Sequence, residues 1–144
     1  MNRFIRFACL STILAAGAVT GCSRSPANTE TQLPPLERGR YLVERVAMCA
    51  DCHSPRGPQG EFIKDQWLMG SALAFTPAVP MPWSPAAPPI AGMPGYSKEA
   101  AIAFLTGGKT ASGRPLLPPM PEYRFSRQDG EAVYAYLKSL GKNG

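Results

Sequence analysis

With 144 residues the chain is long enough for one domain and too short for two. Charged residues make up 17%, while Pro and Gly number 16 and 14, so loops outweigh regular structure and only a small core is available. The formal net charge of +5 falls to +3, 13 Lys and Arg against 10 Asp and Glu, when Arg3 and Arg6 leave with the first 21 residues; that is too mild for nucleic-acid binding, and no basic run interleaved with aromatics appears.

Arg3 and Arg6 precede an uncharged stretch from Phe7 to Gly21. Basic residues, a short apolar segment and small residues at its end are the layout of a secretory signal. At 15 residues the stretch is short for a membrane-spanning helix. It ends in Val19-Thr20-Gly21-Cys22, which looks like a bacterial lipobox, with Cys22 lipidated and first in the mature protein. An ordinary cleaved signal followed by a stray Cys is the alternative. Residues 1–21 are therefore expected to be a leader, 22–33 a polar tether and 34–144 the folded domain. The expected location is the bacterial periplasm, with a membrane anchor at Cys22.

Residues 34–48 predict a helix, with Gly39, Leu42, Val43 and Val46 along one face. It leads into Cys49-Ala50-Asp51-Cys52-His53. Cys9 leaves with the leader and Cys22 is the lipid candidate, so Cys49 and Cys52 remain as a pair. An exported protein would ordinarily use such a pair for a disulfide. The C-x-x-C-H spacing, however, is that of covalent haem attachment. Two thiols about a helical turn apart can add to the two vinyl groups of one haem, and the next residue, His53, then presents its imidazole to the iron. Zinc would need a fourth ligand, which the mature domain lacks. A thioredoxin-like pair would sit beside a βαβ pattern, and none is visible.

From Gln66 to Ser97 there is no Lys, Arg, Asp or Glu, and seven prolines fall between Pro77 and Pro94. Proline at that density blocks helix and ladder alike. The stretch is too apolar for a linker and predicts loops wrapped around the haem. Ser97 then caps a helix with Glu99 in its first turn, Phe104 and Leu105 on its apolar face, and Gly107-Gly108 at its end. Ser126 with Asp129 resembles a capping box for a last helix, whose stripe is Val133, Tyr136, Leu137 and Leu140 and whose end is Gly141. No strand-like alternation of useful length appears.

His53 is the only His, so a second histidine from the same molecule cannot complete the iron's coordination. Met, whose soft sulfur raises the potential, is the usual partner in electron-transfer cytochromes. Met1 belongs to the leader and Met48 adjoins Cys49, which leaves Met69, Met81, Met93 and Met120. Met120 is preferred, because Leu117-Pro118-Pro119-Met120-Pro121 makes a stiff, non-helical cradle just before the last helix. Met93 and Met81, each also followed by proline, stay open.

Gly39-Arg-Tyr-Leu-Val43, the Cys49–Arg56 block, Pro118–Tyr123 and Ala132–Leu140 together resemble class I bacterial c-type cytochromes over about residues 36–141. That resemblance implies an all-α, cytochrome c-like domain around one covalent haem c, its first and last helices crossing so that Gly39 meets the Tyr136–Leu137 face. It also implies electron transfer without a catalytic residue, between redox partner proteins such as a dehydrogenase or an oxidase. The last block looks, more narrowly, like cytochrome subunits that accept electrons from periplasmic dehydrogenases. The rival is a haem enzyme or gas sensor with an open sixth coordination site; the distal histidine it would use is missing. A lipoprotein with a Cys49–Cys52 disulfide is the third reading, and it makes the adjacent His53 a coincidence.

Overall fold

A computed structural model describes residues 33–107 and 110–143. The expected leader, Cys22, residues 23–32 of the expected tether and Gly108 lie outside the described residues. Helix α1 spans Pro35–Tyr41 and starts on proline, whose missing N–H and fixed φ suit a first helical position. The helix expected over 34–48 does not run through. A π-helical turn, Leu42–Val46, follows α1, with the Ala47 N–H donating to the Leu42 carbonyl at 2.8 Å. Such a turn takes one residue more per hydrogen bond than an α-helix. It thereby absorbs part of the long run from Gly39 to the short helix α2, Ala50–His53.

Helix α3, Lys98–Leu105, begins as expected at Ser97, whose hydroxyl accepts from the Ala100 N–H at 3.1 Å. Helix α4, Arg127–Ser139, begins at Ser126, whose hydroxyl accepts from the Asp129 N–H at 3.1 Å. Gly141 was expected to end α4. Instead the helix stops at Ser139 and a 3-10 turn, Leu140–Asn143, carries the chain on. Gly141 serves a close approach: a Cβ there would lie 2.5 Å from the Gly92 Cα.

Helices α1 and α4 cross where the resemblance places them. A Cβ on Gly39 would collide with the Ala132 carbonyl and come within 2.8 Å of the Tyr136 Cβ, so only glycine lets the two backbones touch. The Tyr136 hydroxyl donates to Glu44 Oε1 at 2.5 Å and pins α4 to the π turn. The core gathers at this crossing: Val43, Val133 and Leu137 are buried there, with Leu68, Ala101 and Leu105 beside them.

The regular structure of the described residues is mostly helical, yet the all-α expectation needs a correction. Ser71–Ala72 (β1) pairs antiparallel with Ala86–Ala87 (β2), closing the uncharged segment into a loop. Two residues per strand leave no alternation to read, and both strands avoid the prolines, so proline density did not exclude them.

The acidic half of the expected capping box has another task. Arg38 Nε donates to Asp129 Oδ1 at 2.9 Å, tying α1 to the first turn of α4. Arg38 holds the Asp129 carboxyl below its ordinary range, and the Ser126 hydroxyl adds to this. Because the folded value is depressed, the contribution is complete above the unfolded value of about 3.9 and disappears as pH falls through the lower folded value. Both side chains are about a third or a quarter exposed, so the pair is worth no more than about 1 kcal/mol. Asp129→Asn should therefore lower stability by roughly that amount above about pH 5. Urea titrations of both holoproteins should show the gap closing below about pH 4. A gap that widens in acid would contradict the assignment.

Candidate functional site

Met48 turns the chain with φ 49 just before Cys49, and α2 then carries Cys52 and His53 within one helical turn. The uncharged segment fastens this turn from behind. Gly70 N–H donates to the His53 carbonyl at 2.8 Å, and Leu68 N–H donates to the buried Ser54 hydroxyl at 2.8 Å. The Pro88 carbonyl lies 2.7 Å from His53 Nδ1. A carbonyl can only accept, so Nδ1 carries the proton and Nε2 keeps its lone pair. Burial lowers the His53 pKa, which favours the neutral ring, the form that binds a metal.

Cys49, Cys52 and His53 border a cavity of about 960 Å³. Met120 borders it too, from the loop that precedes α4. The walls are largely apolar, with Ile90, Phe104, Leu105, Val133 and Leu137 among them. This volume is at the upper end of the roughly 300–1,000 Å³ typical of small-molecule sites, so the cavity suits a large apolar group. Both thiols are free. Burial pushes the Cys49 thiol up to about 11, which disfavours a thiolate and suits an uncharged sulfur such as a thioether. Among the described residues, no three His, Cys, Asp or Glu side chains are grouped to hold a metal ion.

The four methionines separate clearly. Met69 and Met81 are about half exposed, at 54% and 45%, and neither borders the cavity. Met93 does, but it is 5% exposed and packs within the core. Met120 is half-buried and borders the cavity from the loop before α4.

Sequence reasoning missed Ser54, Pro88 and Tyr123. The Tyr123 hydroxyl donates to the Ala47 carbonyl at 2.8 Å, and its ring stacks on Phe125 at 5.2 Å. Burial, then the two nearby thiols, push the phenol up to about 12, so it remains a donor at ordinary pH. The signals were slight: a Pro-Pro pair offers acceptors without donors, and an aromatic follows the proline-braced Met by three residues.

No protein-family model matches the chain. It is 30% identical over 108 residues to the fructose dehydrogenase cytochrome subunit of Gluconobacter japonicus, covering 72% of this chain and 21% of that protein. It is 51% identical over 37 residues to a diheme cytochrome c-type protein of Cereibacter sphaeroides, covering 26% of this chain and 12% of that protein. The chain thus matches about a fifth of the first relative's length and about an eighth of the second's. Both likenesses support a c-type cytochrome, a haem protein of electron transfer.

Proposed function

We propose that the chain is an electron carrier holding one haem c through thioethers at Cys49 and Cys52, with His53 and Met120 as axial ligands. When bound, that group would supply one-electron chemistry, with Cys49 and Cys52 as the residues that would attach it and His53 and Met120 as those that would hold its iron. The observation that carries this reading is the convergence of Cys49, Cys52, His53 and Met120 on one apolar cavity. His53 is held in the right tautomer by Pro88, and the apolar walls keep water away from the redox group. Met120 is the better sulfur donor because Met93 belongs to the loop that already clasps His53 and is spent on core packing. The single C-x-x-C-H of this sequence supports one haem, although one relative is a diheme protein.

The first relative is the cytochrome subunit of a dehydrogenase, which favours a dehydrogenase as electron donor. Docking would be transient and small, as suits a carrier. The basic-then-apolar stretch that ends in Val19-Thr20-Gly21-Cys22 supports work in the periplasm, on a lipid anchor at Cys22. Acid–acetone extraction of the purified protein tests the attachment. The colour should stay with the polypeptide; complete extraction would overturn the thioethers.

A further inference from the structure

We propose that Tyr123 is a positioning residue that holds the Met120 loop at its working distance from the His53 wall, acting through a hydrogen bond to the Ala47 carbonyl. The proposal rests on the reading of Met120 as sixth ligand. Ala47, Cys49, Cys52 and His53 border the cavity, and so do Met120 and Tyr123. The segment that carries Met120 and Tyr123 has little regular structure of its own: the chain between Gly107 and Ser126 contains no helix or strand among its described residues. Where a loop must present a ligand at a fixed distance, something has to tie it to the rest of the site.

Tyr123 does so. Its hydroxyl crosses to Ala47, 76 residues earlier in the chain, at 2.8 Å. Ala47 is the C-cap of the π turn and stands two residues before Cys49. The bond therefore joins the attachment segment to a point three residues beyond Met120. The partner is a backbone carbonyl, which cannot swing away, and the ring is fixed by near-parallel stacking on Phe125, 10° between planes. Phe125 in turn is held by its N–H donating to the Leu105 carbonyl at 3.2 Å, at the end of α3. The loop is thus tied to the core at 125 and to the attachment segment at 123, with Met120 just before both ties.

Tyr123→Phe removes the hydroxyl and keeps the ring and its stacking. In the ferric holoprotein, the weak charge-transfer band of Met ligation should lose intensity. Displacement of the sixth ligand by added imidazole should quicken roughly fivefold to tenfold, the scale of one lost hydrogen bond. Covalent haem content and far-ultraviolet circular dichroism should not change. In a Met120→Ala background, Tyr123→Phe should add no further acceleration. Equal acceleration in both backgrounds would overturn a role exercised through Met120. A parent that shows the band, with an unchanged Tyr123→Phe variant, would overturn the tie and leave Met120 standing. A parent without the band removes Met120 as ligand, and the tie with it. Loss of helix in Tyr123→Phe would make Tyr123 a prop of the fold and overturn the positioning role.

Discussion

Deprived of its haem, as in a Cys49→Ala/Cys52→Ala variant, the protein is expected to lose most of its helical circular dichroism. Val43, Met93, Leu105, Val133 and Leu137 belong both to the core and to the cavity wall. The α1–α4 crossing is therefore packed on one side against the cavity itself. Apolar cavities cost on the order of 24 cal/mol per Å³ in protein cores. Even a quarter of the 960 Å³, left without apolar contacts, would cost about 6 kcal/mol. That equals the net stability of many small domains, roughly 5–15 kcal/mol. The uncharged 66–97 loops cannot make up the loss, because a two-residue ladder and a few backbone bonds are most of their regular structure. Comparison of the far-ultraviolet spectra of holoprotein and variant decides the point. A variant as helical as the holoprotein would show that the helices stand without the group.

The parts legible in the sequence are those whose physics is local. The Cys49–His53 cluster is contiguous, so spacing alone states its chemistry. Ser97 and Ser126 bond to N–H groups three residues on, and both caps could be read from adjacent letters. Gly39 was legible through resemblance, since closeness to Ala132 and Tyr136 leaves no local trace. What stayed hidden depends on partners far along the chain. Asp129 serves Arg38, 91 residues away, rather than its own helix start alone. Pro88 acts through a carbonyl, 35 residues from His53, and any residue there has a carbonyl. The π turn arises where α1 must both cross α4 and deliver Cys49, a conflict that periodicity does not express. Choosing among the methionines needed burial, which separates Met69 and Met81 from Met120 although Met81 shares the following proline.

Met120→Ala should remove the charge-transfer band at the red edge of the ferric spectrum and open the sixth position. Met120 borders the same cavity as His53, from the loop before α4, and Met93 is packed into the core. No second histidine exists to take its place. Water or a weak donor would enter instead, and the potential should fall because a soft sulfur that favours the ferrous state is gone. Axial ligands govern a span of about 0.8 V, so a fall on the order of 100 mV is expected for the loss of one. Carbon monoxide should bind the reduced variant readily and the parent poorly. Covalent haem should be retained, since Cys49, Cys52 and His53 are untouched. Redox titration, ferric spectra and carbon monoxide kinetics on the two proteins test each part. A band that survives in Met120→Ala and vanishes in Met93→Ala would transfer the ligand to Met93 and leave electron transfer intact. A parent that lacks the band and binds carbon monoxide at once would have an open sixth position, and a haem enzyme or gas sensor would then be the better account of the chain.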